Sequence, residues 1–166
     1  MRVLIAGLGI LAAFCIQTVL SRHVSFLNGY YDLFLIVTAV FGWLWGRTAG
    51  LAVGTIAGLV QDTFSGGLLG FSGLAKTTVG YCAGLAGRHL ILNGVGARIL
   101  FFVIVTLIDL VVLIGIGILM GFDRVYVAGL APLYLCMGNA LIGTISLKLI
   151  ETNPVKRFIV IPTQGQ

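Results

Sequence analysis

An aspartate and a lysine fall inside the most glycine-rich part of this chain. Asp62 and Lys76 belong to GRTAGLAVGTIAGLVQDTFSGGLLGFSGLAKTTVGYCAGLAGRHL, residues 46–90, and Asp109 is embedded in the apolar run TLIDLVV. Opposite charges in apolar surroundings can do three things. They can neutralise each other as a buried pair, pass protons, or part company, with Lys76 snorkelling to a polar boundary and Asp62 solvated in a loop. A proton relay needs more titratable groups than the five acidic residues and two histidines of this chain. An unpaired charge at the centre of a bilayer costs at least about 2.5–3.5 kcal/mol, so Lys76 is expected to have a partner. Asp62 and Asp109 are the candidates. The spacing favours Asp62, because it and Lys76 lie near the same end of adjacent helices joined by a short turn. Asp109 is roughly ten residues from either end of its span and cannot snorkel. It is either protonated or paired, with Lys76 or with a polar group such as Asn139. Asn139, inside the last apolar segment, reads as an interhelical hydrogen-bonding residue.

Other chemistries find little footing. Cys15, Cys82 and Cys136 lie in apolar segments without a CxxC pair, and read as small buried apolar residues. His23 and His89 fall on opposite sides of the membrane in the topology derived below, so no Ser–His–Asp set assembles on one side, and both read as interface residues. No metal, cofactor or nucleic acid is implied.

The elements that carry these residues follow from composition. The chain has 166 residues, 59% of them hydrophobic and only 9% charged, against about 25% charged in soluble domains. Several runs approach the roughly 20 residues needed to span a bilayer as a helix. The expectation is an all-α polytopic membrane protein with six transmembrane helices in one domain, 1–150, and a short cytoplasmic tail, 151–166. The helices are placed at about Val3–Leu20, Leu33–Trp45, Thr48–Gln61, Phe71–Gly87, Ile99–Met120 and Tyr126–Ile150. The first resembles a signal peptide, but its apolar run is longer than a signal core, and Phe14 stands where a lipoprotein cleavage box needs a small residue, so it reads as retained. Tyr30 and Tyr31, then Trp43 and Trp45, sit where interfacial belts belong. With the N-terminus inside, the cytoplasmic side collects Arg2, Arg47, Arg88, Arg98, Lys148, Lys156 and Arg157, and the outside only Arg22 and Arg124. That bias predicts both termini in the cytoplasm.

The glycines are spaced for packing. Gly46, Gly50, Gly54 and Gly58 recur every fourth residue, and the next step lands on Asp62. In the following helix Ser72, Lys76, Gly80, Gly84 and Arg88 repeat the interval. Such positions form a nearly straight stripe on a helix, and small-xxx-small stripes let backbones approach closely in lipid. Gly117 and Gly121 repeat the spacing later. The turn TFSGGLLGF joins the first two stripes into a hairpin whose glycine faces serve close packing, within the pair or against other helices.

At GLVQDTFSGGLLGFSGLAKTTVGYCAG the chain resembles the bacterial rod shape-determining protein MreD family. The resemblance rests on a small-residue helix ending in an aspartate, a Ser-Gly-Gly-x-x-Gly turn and a helix with Gly-Tyr near its middle. Here these are Gly58, Asp62, Ser65, Gly66, Gly67, Gly70, Gly80 and Tyr81. It is close over residues 54–87 and loose over the rest. It implies a non-enzymatic subunit of the cell-elongation complex in the inner membrane. Such a subunit works with MreC and, around it, RodA, a class B penicillin-binding transpeptidase and MreB. It supports cell shape and lateral peptidoglycan synthesis. It also implies a fold similar to the S components of energy-coupling-factor transporters. That similarity supplies the alternative, a substrate-binding transporter subunit with a lid from the Arg22–Asp32 connector and the Thr63–Phe71 turn. Few polar residues are present to hold a hydrophilic vitamin, so membrane lipid or a lipid-linked ligand suits the chain better.

Overall fold

The computed structural model describes residues 2–23, 30–66, 68–89, 94–121 and 130–152. Among the described residues there are six helices and no strand. They are α1 (Arg2–His23), α2 (Leu33–Trp45), α3 (Arg47–Ser65), α4 (Phe71–His89), α5 (Val95–Leu119) and α6 (Ala131–Thr152). The all-helical class and the helix order agree with the sequence reading, and α2 has the expected limits. The third helix extends four residues past Gln61, to Ser65. Much of the Arg22–Asp32 connector, Gly67, Arg124, the expected start of the sixth helix at Tyr126, and the tail beyond Thr152 lie outside the described residues.

Local chemistry sets several boundaries. Asp32 is the N-cap of α2, its Oδ1 accepting a hydrogen bond from the Leu35 N–H at 3.1 Å, which satisfies a donor the first turn leaves orphaned. At the far end Gly46 takes φ +89° and joins α2 directly to α3. Gly66 closes α3 in the left-handed region, φ +65°, where a residue without Cβ is unstrained. These conformations reassign two members of the expected packing stripes. A Cβ on Gly46 or on Gly121, φ +72°, would meet nothing within 4 Å, so both serve as joints.

The remaining stripe glycines pack inside the protein. A Cβ on Gly50 would overlap the Gly80 carbonyl, and one on Gly80 the Gly50 carbonyl. Gly54 lies against the Lys76 backbone, Gly58 against Ser72 and Gly73, and Gly84 against Arg47. The hairpin α3–α4 is therefore zipped backbone to backbone along its length. Glycines outside the expected stripes extend the same design. Gly42 of α2 packs on the Gly80 carbonyl, Gly87 on Trp43, Gly138 of α6 on the Tyr30 carbonyl, and Gly143 on the Phe102 ring. Gly117 is buried in α5.

Around this zipper, α2 lies against both α3 and α4, α5 packs on α4 and α6, and α1 leans on α2. Leu35, Ala39, Val79, Ala83, Phe102, Val105 and Leu147 form the larger core cluster. A second cluster joins Ala6, Ile10 and Ala13 of α1 to Phe34, Phe41, Val53 and Ala57. The outer faces are apolar too. Leu133, Met137, Leu141, Ile145 and Leu149 form an i, i+4 stripe on α6, each more than half exposed, an arrangement soluble monomers avoid. Two helices, Val95–Leu119 and Ala131–Ile150, are long and apolar enough to cross a membrane, and the apolar helices Leu4–Leu20 and Leu33–Trp45 are shorter. Cys15 departs from its expected place in the interior, being exposed on α1.

Gly80→Ala and Gly54→Ala should each destabilise the folded chain by about 1–3 kcal/mol or more, because a methyl group is forced against a main-chain carbonyl that cannot swing aside. Gly115→Ala, at a position with open space, should be neutral or slightly stabilising. Thermal or denaturant unfolding in detergent checks the contrast, and equal stability of all three would refute the zipper.

Candidate functional site: an ionic cluster at one end of the bundle

The antiparallel order brings the C-terminal end of α1, the start of α2, the end of α3, the start of α4 and the start of α6 to one end. There Lys76 is the largest fully buried side chain, 1% exposed. It is placed one turn inside α4, and its Nζ donates to Asp32 Oδ2 at 2.7 Å, a direct salt bridge. Asp109 Oδ1 of α5 lies 3.9 Å from the same nitrogen. Lys76 therefore faces two carboxylates, and the expected partner, Asp62, is not one of its direct contacts.

Asp62 is neither Lys76's partner nor a solvated loop residue. It is 3% exposed, and its carboxylate accepts from the backbone N–H groups of Gly70 at 2.8 Å, Ser72 at 3.0 Å and Gly73 at 3.3 Å. These are the orphaned donors at the start of α4. Gly70, with φ +96°, has no side chain to cap them, so α3 supplies the cap. The negative charge also suits the positive end of the helix dipole. Asp62, Gly66 and Gly70 thus form one device that turns and caps the hairpin, and Ser65 is the exposed last residue of α3.

Asp32 is the functional residue the sequence reading missed as a partner. It stands at the end of a polar connector, directly before an apolar run, which is the signature of an N-cap. Since capping uses one oxygen, the other remains free for a cation. The start of α2 gathers further partners. The Asp32 N–H donates to Asn139 Oδ1 at 2.8 Å, the Leu33 N–H to Gln17 Oε1 at 3.1 Å, and Gln61 Nε2 to Asp32 Oδ2 at 3.4 Å. Asn139 Nδ2 also donates to Thr106 Oγ1 at 3.3 Å, whose hydroxyl donates to the Phe102 carbonyl at 2.7 Å. Asn139 is the interhelical hydrogen-bonding residue expected, though its partners are Asp32 and Thr106, not Asp109.

Two cavities open beside this cluster. The larger, about 430 Å³, is lined by Gln17, Tyr31, Asp32, Gln61, Asp109, Leu110, Leu113, Ala131, Pro132 and Leu135. The other, about 360 Å³, is lined by Phe14, Gln17, Thr18, Arg22, Phe34, Gln61, Phe64 and Ser65. Gln17 and Gln61 border both. Tyr31, expected in an interfacial belt, is 8% exposed and lines the larger cavity. Tyr30 packs its ring on Tyr134, with centroids 5.2 Å apart. Arg47, Arg88 and Arg98 stand at the helix ends opposite the cluster, as the alternation of the helices requires. His89 is exposed at that same far end, and the side chain of His23 lies outside the described residues.

In comparisons with known proteins, no family model, curated protein or solved structure matches this chain.

The ion pair has a testable partner assignment. Lys76→Met strands Asp32 in the interior and should cost about 3–5 kcal/mol, the usual penalty for removing one half of a buried pair. Lys76→Met with Asp32→Asn should recover much of that loss, whereas Lys76→Met with Asp62→Asn should be worse than the single change, because it also weakens the α4 cap. Unfolding measurements on the double-mutant cycle decide between them. Recovery with Asp62→Asn alone would overturn the assignment to Asp32.

Proposed function

We propose that this chain is a multi-pass protein of the bacterial cytoplasmic membrane with six spans and both termini cytoplasmic. In this proposal it is a non-enzymatic, MreD-like subunit of the cell-elongation complex that binds MreC. The observation that carries the reading is the hairpin 54–87, where the resemblance is closest. Its motif residues have mechanical roles: Asp62 caps α4, Gly66 and Gly70 turn the chain, and Gly58 and Gly80 let the backbones touch. A motif spent on rigidity suits a scaffold, whose task is to hold surfaces in fixed relation. The exposed apolar faces of α1, α5 and α6 leave ample area for lipid and for the single-span and multi-span partners of such a complex. The shorter helices can lie in the bilayer with Lys76 paired to Asp32 and Asp62 held by backbone donors.

The larger cavity, lined by Asp32 and Asp109, the two carboxylates that face Lys76, favours a second reading, a substrate-binding subunit of a transporter similar to the S components. A pocket of about 430 Å³ falls in the size range of small-molecule sites.

Purification from native membranes in mild detergent separates the two. The scaffold reading expects MreC and other elongation-complex subunits to co-purify, and loss of rod shape when the chain is depleted. Recovery of an ATPase module without them would favour the transporter. Reporter fusions at Gln166 and Asn28 check the topology: Gln166 is expected on the cytoplasmic side and Asn28 outside. A translocated C-terminus would remove the six-span arrangement.

A further inference from the structure

The charge in the buried cluster does not balance. Asp32 and Asp109 face one cation, Lys76, which leaves one excess negative charge when both carboxylates are ionised. Asp109 is 2% exposed, and its Oδ1 has no hydrogen-bond partner. Tyr31 Oη and Gln61 Oε1 are likewise buried without a partner. All three residues line the same cavity of about 430 Å³. Buried polar groups are normally satisfied, and the gathering of three such atoms on one cavity, beside a surplus carboxylate, marks it as a candidate ligand site. What the ligand must be follows from what the orphans offer. The carboxylate and amide oxygens only accept hydrogen bonds, and the phenol can accept or donate. The apolar part of the lining is Leu110, Leu113, Ala131, Pro132 and Leu135. A bare metal ion would leave that lining unused, and an anion would face a carboxylate surplus.

We propose that this cavity binds a primary ammonium group carried on an apolar body, its three N–H donors directed to Asp109 Oδ1, Gln61 Oε1 and Tyr31 Oη. The bound cation neutralises the surplus charge that Lys76 leaves. Two sources share this chemistry, the headgroup of an aminophospholipid and a soluble amine. They differ in a phosphate. The neighbouring cavity shares Gln17 and Gln61 as a wall and contains Arg22, the cation that a lipid phosphate would use. The site serves under either reading of function, since it rests only on the cluster and the cavity.

The test uses the purified full chain in nanodiscs of phosphatidylcholine and phosphatidylglycerol, with butylammonium chloride as probe. Butylammonium should raise the thermal midpoint saturably by a few degrees, whereas tetramethylammonium, which has no N–H, and sodium should not. Asp109→Asn should weaken the probe roughly tenfold or more, as expected when a charged hydrogen-bond partner is lost. Leu113→Trp, which fills the cavity from its apolar wall, should abolish the response while leaving both carboxylates in place, so the site is testable even where Asp109→Asn folds poorly. No response of the wild-type chain would overturn the proposal and leave Asp109 carrying a proton instead. An equal response to tetramethylammonium or sodium would overturn it as well, as would an undiminished response in Leu113→Trp. Native mass spectrometry from nanodiscs containing phosphatidylethanolamine then identifies the source. Retention of that lipid, lost in Leu113→Trp and weakened in Arg22→Gln, supports the ammonium site as a headgroup site. A butylammonium response without lipid retention supports it as a site for a soluble amine.

Discussion

The salt bridge between Lys76 and Asp32 is the constraint on which the bundle depends. A lysine 1% exposed among apolar helices has lost its water, and in an apolar interior that loss costs several kcal/mol unless the charge is matched and its surroundings are polar. Asp32 matches it at 2.7 Å. The same carboxylate caps α2, sits at the positive end of that helix's dipole and accepts from Gln61. Through its main chain Asp32 also holds Asn139 of α6, and the adjacent Leu33 holds Gln17 of α1. One helix start thus ties α1, α3, α4 and α6 together. In a lipid environment, where apolar surfaces gain little by leaving the solvent, polar ties and close packing are the forces that remain.

Close packing is what lets the tie form. Lys76 projects from α4 and Asp32 stands at the start of α2, so the two helices must approach more closely than large side chains permit. Gly42 against Gly80, and Gly50 against Gly80, bring α2, α3 and α4 to backbone contact. The glycines and the ion pair are then two halves of one arrangement. Wider spacing would leave Lys76 without Asp32. The charge pair in turn fixes α2 against α4, as the Asp62 cap and the Thr55–Thr77 hydrogen bond fix α3 against α4.

The helices and the glycine stripes were legible in the sequence because apolar length and fourfold spacing are local signals. The limits of α2 were legible for the same reason, since a polar residue precedes its apolar run and Gly46 follows it. Whether a glycine packs or turns was not legible. Gly46 and Gly121 share the stripe spacing but have positive φ, a property of the backbone that periodicity does not carry. The partner of Lys76 was misjudged because spacing ranks candidates by distance along the chain. Asp62 is near in sequence, but its carboxylate is consumed by three N–H groups at the start of α4. Asp32 is 44 residues from Lys76 and becomes its neighbour only through the packing of α2 on α4. The rule that would have found it is an accounting one. An N-cap aspartate uses one oxygen on its helix, and a buried lysine needs the other.

The same accounting separates the ties of the hairpin from the lining of the larger cavity. Along the hairpin Asp62 caps α4, Lys76 pairs with Asp32, and Thr55 and Thr77 share a hydrogen bond at 2.8 Å. Around the larger cavity the accounts stay open, with Asp109 Oδ1 of α5, Gln61 Oε1 of α3 and Tyr31 Oη ahead of α2 all lacking a hydrogen-bond partner. A buried carboxylate without a full complement of donors is expensive wherever it stands. A fold that needed only rigidity would be better served by leucine at position 109, which would remove the excess charge and fill part of the void. In the proposed site the aspartate serves two cations, Lys76 at 3.9 Å and the bound ammonium, so the end of the bundle where the helices are tied is also the end that would receive the ligand.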